Sequence, residues 1–100
     1  MQRQNLGTIQ NISQKGILLK VTHPVKYNYV EMNFNNTMGM RQNMDGKVIH
    51  CKEKPSGQYE VGIRLLGSED QIKVFVKALV HYHLQQLKMP NIKISGFLTQ

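Results

Sequence analysis

At 100 residues the chain has the length of one domain, enough for a single modest core and too little for two. An apolar share of 40% argues against wholesale disorder, no apolar run approaches the roughly 18 residues of a membrane span, and "MQRQNLG" at the start lacks the apolar stretch of a secretory signal. Thirteen Lys plus Arg against six Asp plus Glu leave a net charge of +7, spread along the chain without a basic tail, so a folded basic surface facing phosphorylated ligands, nucleic acid or acidic membranes is expected.

Most of the first two-thirds reads as short strands separated by turn signals. In "LGTIQNIS" an extended backbone puts Ile9, Asn11 and Ser13 on one face. "GILLKVT" sets Ile17, Leu19 and Val21 against Leu18 and Lys20, and His23-Pro24 breaks that strand. "YVEMNFN" alternates Val30, Met32 and Phe34 with Glu31, Asn33 and Asn35 before "NNT" turns the chain. "MGMRQNMDGKVIHC" is the longest extended candidate, with Met38, Met40, Met44 and Val48 on one parity and the methionines read as core filling. Asp45-Gly46 marks either a hairpin or a bulge within it. "EKPSGQ" is a turn by composition. "YEVGIRLL" then puts Tyr59, Val61, Ile63 and Leu65 on one face, and Gly62 signals a bulge or a close approach of another backbone.

The period then changes to that of a helix over about residues 69–88. Ser68 with Gln71 fits a capping box, Glu69 and Asp70 suit the positive end of the helix, and Pro90 stops it. Ile72, Phe75, Val76, Leu79, Val80, His83 and Leu87 form the expected packing stripe. These elements make a single α+β, mainly β, domain over 1–100, with strands over about 6–66. An antiparallel sheet with one apolar face per strand has to close or be covered, so a small, strongly curved antiparallel barrel with an amphipathic C-terminal helix is predicted.

"NISQKG", Asn11 to Gly16, matches the [D/N]-x-S-x-x-G motif of PilZ domains, the bacterial receptors for cyclic di-GMP. "GTIQNISQKGILLKV" is similar to that family's strands entering and leaving the motif. "GKVIHCKEKPSGQYEVGIRLLG" resembles its late hairpin, with Leu65 where Phe is usual, and the helix follows in order. The resemblance covers roughly residues 6–88. It implies a split-barrel PilZ-like fold, six-stranded, that binds cyclic di-GMP on its outer surface. The motif's amide and hydroxyl would then hydrogen-bond the ligand, roles that fall on Asn11 and Ser13, while Gly16 permits a tight turn. The expected output is control of motility, biofilm or polysaccharide production. The family's R-x-x-x-R motif and first strand are absent here, and Arg3 is the one arginine ahead of Asn11. Weak or absent binding is therefore expected. Either the sequence begins inside a longer protein, or the domain signals through protein contacts alone, or another segment replaces the strand. "PNIKISGFLTQ" over 90–100 alternates Ile92, Ile94 and Gly96 against Lys93, Ser95 and Phe97, and fits such a strand, in its own barrel or a neighbour's.

Two secondary ligand candidates are Arg3 and Arg64, the latter on the outer face of its strand. No cofactor and no metal are expected: His81 and His83 lie too far apart around the helix to share one ion, and Cys51 is the only cysteine. His50 and Cys51 point to opposite strand faces, and neither a phosphate loop nor a nucleophile elbow is present, so the chain reads as a non-enzyme in a reduced, cytoplasmic setting. A protein partner is expected, including a homodimer through the tail or through the helix, where Val74, Tyr82 and Leu84 flank or oppose the stripe. Nucleic-acid binding by a small basic barrel ranks third, since few aromatics are free to stack on bases.

Overall fold

The computed structural model of the chain describes residues 4–96. Its strands are β1 (Gln4–Ile12), β2 (Gly16–Val21), β3 (Tyr29–Asn35), β4 (Arg41–Glu53), β5 (Tyr59–Leu66) and β6 (Asn91–Gly96), with one helix, α1 (Glu69–Gln86), before β6. All neighbours pair antiparallel in the order β1-β2-β5-β4-β3-β6, and β6 pairs with both β3 and β1, which closes the barrel. The tail thus supplies the closing strand of its own barrel, from Asn91 to Gly96; Phe97 and the three residues after it lie outside the described residues.

The alternation of apolar residues decides which side faces in. Ile17, Leu19 and Val21 of β2, Val30, Met32 and Phe34 of β3, Val61, Ile63 and Leu65 of β5, and Ile92 and Ile94 of β6 are all buried in one core. Small closed barrels have an interior just wide enough for such side chains to fill. Asn33 departs from the pattern, being buried at 6% exposure on the parity expected to be polar and open, with its Nδ2 unpaired. Asp45-Gly46 is neither hairpin nor bulge. β4 runs straight through it, and the register shift comes between Val48 and His50.

Ser68 caps α1 as its spacing predicts: its hydroxyl accepts the Gln71 N–H, while the Gln71 side chain accepts the Ser68 N–H at 2.9 Å. The helix ends at Gln86, with Leu87 in the left-handed region and its N–H on His83 O, so the chain has left the helix before it reaches Pro90. Phe75 and Leu79 sink into the core, and Phe34 meets both Phe75 and Tyr82 edge to face, at 5.5 and 6.3 Å between centroids. The second half of the expected stripe does not pack. Val80, His83 and Leu87 are exposed, and Tyr82 takes the inward place instead. Rotating the buried arc toward Tyr82 lets one aromatic ring reach Phe34. Met38 and Met40 are likewise exposed, because the chain between Asn35 and Arg41 is spent on a turn held by Asn36 Oδ1, which accepts the Met38 and Met40 N–H groups.

Candidate ligand-binding site

The Asn11–Gly16 segment joins β1 to β2. A bulge between Ile9 and Asn11 interrupts the alternation, so Ile9, Asn11 and Ser13 do not continue one strand face: Ile9 is half-buried, Asn11 is exposed and Ser13 lies beyond the strand. Ser13 builds the turn. Its N–H donates to Gly16 O at 2.9 Å, and its hydroxyl oxygen accepts the N–H groups of Lys15 and Gly16, each at 3.2 Å. Asn11 Oδ1 accepts the Ile12 N–H at 2.8 Å. Among the described residues Asn11 Nδ2 makes no hydrogen bond, so this exposed residue keeps two amide donors free.

Gly16 is not in the left-handed region, and the turn does not need its conformational freedom. Its role is proximity, since a Cβ there would stand 2.7 Å from Ile63 O. The Leu65 N–H donates to Lys15 O at 3.0 Å, so β5 follows the chain past the end of β2 and ties the loop to the barrel wall.

The register then fixes what stands next to the loop. On the outer face, Gly16, Arg64 and Lys47 lie in one row across β2, β5 and β4; Leu18, Gly62 and His50 lie in the next; Lys20, Glu60 and Lys52 in a third. Asn11, Ser13, Lys15 and Gly16 of the loop line a cleft of about 730 Å³ together with Ile49, His50, Gly62 and Arg64. That volume lies within the range of small-molecule sites. Asn11, Ser13, Gly16 and Arg64 are therefore neighbours; Arg3 lies outside the described residues.

His50 and Ile49, which line the cleft, and Lys47, paired with Arg64 beside it, were not read as site residues from the sequence. The one signal was Gly62, whose missing side chain makes room for a side chain rather than a backbone: a Cβ there would run into the imidazole of His50. His50 Nε2 is 3.6 Å from Glu60 Oε1, and Lys54 Nζ is 3.3 Å from Glu60 Oε2. The Lys54 hydrogen bond, with smaller help from His50, holds the Glu60 carboxyl below its ordinary value of 4.5. Glu60 is thus engaged from outside its row, and among the described residues its row partners Lys20 and Lys52 make no ion pair. Among the described residues Arg64, Lys47 and Lys15 make no ion pair, so the loop end carries three cations with no paired carboxylate.

Among the described residues no group of three or more His, Cys, Asp or Glu is placed to hold a metal ion, and no helix is long and apolar enough to cross a membrane. His81, His83 and Cys51 are all exposed and stand apart from the cleft. No family model, curated protein or solved structure matches the chain.

Proposed function

We propose that this barrel is a PilZ-like, non-enzymatic receptor module for cyclic di-GMP, cytoplasmic, and that residues 1–100 by themselves bind it with weakened affinity, since they hold no R-x-x-x-R. The observation that carries the reading is the cleft itself. The Asn11–Gly16 loop and Arg64, remote in sequence, line it together on the outside of a closed barrel. Asn11 Nδ2 and the Lys15 and Arg64 cations suit guanine edges and phosphate oxygens. Ser13 serves first as the brace of the turn, and a ligand contact would have to share its hydroxyl with the two N–H groups it already accepts. Binding would couple to motility, biofilm or polysaccharide output through a partner protein drawn to the loaded surface.

Isothermal titration of residues 1–100 with cyclic di-GMP tests the proposal. A dissociation constant weaker than about 1 μM is expected. Sub-micromolar binding would refute the weakened affinity, and no heat or spectral change at millimolar ligand would end the receptor reading. A second reading, a protein–protein adaptor, rests on the helix. Val74, Val80, Leu84 and Leu87 stand exposed on it, whereas Tyr82 is engaged with Phe34 and drops out of that surface. A mass that rises with concentration would favour the adaptor, and a strict monomer would weigh against it.

A further inference from the structure

We infer that His50, seated across Gly62, is a stacking position for a purine ring, with the Arg64–Lys47 row beside it receiving that nucleotide's phosphate. This rests on the ligand class proposed above and adds residues that the Asn11–Gly16 motif does not contain. Three independent features converge on it. The register shift between Val48 and His50 brings His50 opposite Gly62, and the glycine's missing side chain leaves the room that the ring occupies. The His50 side chain remains 48% exposed, so about half of it is open to a ligand, and it lines the same cleft as Asn11 and Ser13. Arg64 stands two residues from Gly62 along β5, about 7 Å, and Lys47 is paired with it. That spacing is of the order that separates a purine from its own phosphate.

The charges also orient the ligand. On the loop side of His50, Arg64, Lys47 paired with it in the register and Lys15 offer cations with no carboxylate among them, whereas on the other side Glu60 is interposed among Lys20, Lys52 and Lys54. A bound nucleotide therefore points its base at the row of Leu18, Gly62 and His50 and its phosphate at Gly16 and Arg64. Flat stacking on imidazole tolerates any purine, so the amide of Asn11 is left to read the base edge.

The test is titration of the ¹⁵N-labelled chain with cyclic di-GMP, GMP and inorganic phosphate. Cyclic di-GMP and GMP should shift the His50 and Gly62 signals together with those of 11–16, and phosphate alone should shift Arg64 and Lys47. His50→Ala should weaken cyclic di-GMP binding about tenfold and leave phosphate binding unchanged. His50→Phe, which keeps a flat ring, should restore the affinity. Gly62→Ala should mimic His50→Ala, because the displaced atoms belong to the end of a side chain that can swing away without disturbing the strand. Shifts confined to 11–16, or His50→Ala binding like the parent, would overturn the stacking position and leave the receptor reading intact. Failure of His50→Phe to rescue would overturn it too. No shift with any nucleotide would remove both.

Discussion

At Gly16 a single missing atom ties the candidate loop to the barrel. A methyl group placed there meets the Ile63 carbonyl, a backbone atom that cannot turn aside, so Gly16→Ala has to push β2 away from β5. The expected cost is about 1–3 kcal/mol, read by urea denaturation, and it should appear without any ligand. A stability equal to the parent's would show that the strands give way freely. The same measurement separates the glycine's part in the fold from any part in binding. Leu87 presents the opposite case. It holds φ 57° at the end of α1, is 86% exposed, and forgoes little by losing its side chain. Leu87→Gly should stabilise the protein by about 1 kcal/mol, seen as a higher melting temperature. Glu60 adds a dependence on acid. Its folded carboxyl is held below 4.5 by Lys54 and His50, so its contribution is fully present above that value and is lost as the pH falls through the lowered folded value. Melting curves for Glu60→Gln should therefore converge with the parent's below that window and fall short of them at pH 7. Equal gaps at both pH values would dissociate Glu60 from the acid sensitivity.

The elements differ in how far the residues announce them. β2, β3 and β5 were legible because each alternates three or more aliphatic or aromatic residues, and the closed barrel buries one face of each of them. The capping box at Ser68 was legible because its chemistry is local, needing only residues three apart. The far half of the helix was not. A 3.6-residue period fixes the width of an apolar stripe but not its contact partner, and Phe34 on β3 decides that Tyr82 rather than His83 turns inward. The cleft was half legible for a similar reason. The motif loop is contiguous, whereas His50 reaches it through a register that a bulge shifts by one residue, and bulges carry no reliable sequence mark. The helix offers the cleaner test. Tyr82→Ala removes a ring from a half-buried aromatic cluster and should cost more than 1 kcal/mol, while His83→Ala, on the exposed side, should fall within about 0.5 kcal/mol of the parent. The reverse order would mean the helix is turned toward its sequence-predicted stripe.

For the whole molecule, the decisive element is the last one. β6 follows the helix yet lies between the first and third strands, so the barrel closes only when the end of the described chain returns to its beginning. Ile92 and Ile94 are 0% and 2% exposed, and they fill the core between β1 and β3. A chain ending at residue 90 would lose both side chains and leave two unpaired edges, each a template for pairing with another molecule. Such a chain should lose its cooperative thermal transition and become concentration-dependent in mass. Adding a peptide spanning 90–100 in trans should restore the transition, because the vacated edges accept a strand of the same pattern, whereas a peptide with Ile92 and Ile94 replaced by Asp should not. Hydrogen exchange on the intact chain gives the matching readout. Backbone amides that β6 commits to its neighbours should exchange as slowly as those of β2, and fast exchange throughout 92–96 would mean that the barrel is not closed by this segment. Closure also bears on the cleft. The β2–β5–β4 wall that carries Gly16, Arg64, Gly62 and His50 owes its curvature to the ring being complete. The truncated chain should therefore fail to show nucleotide-induced shifts at His50 even where its strands persist, and recover them with the peptide. Shifts that survive truncation would place the determinants of the site in the local register alone.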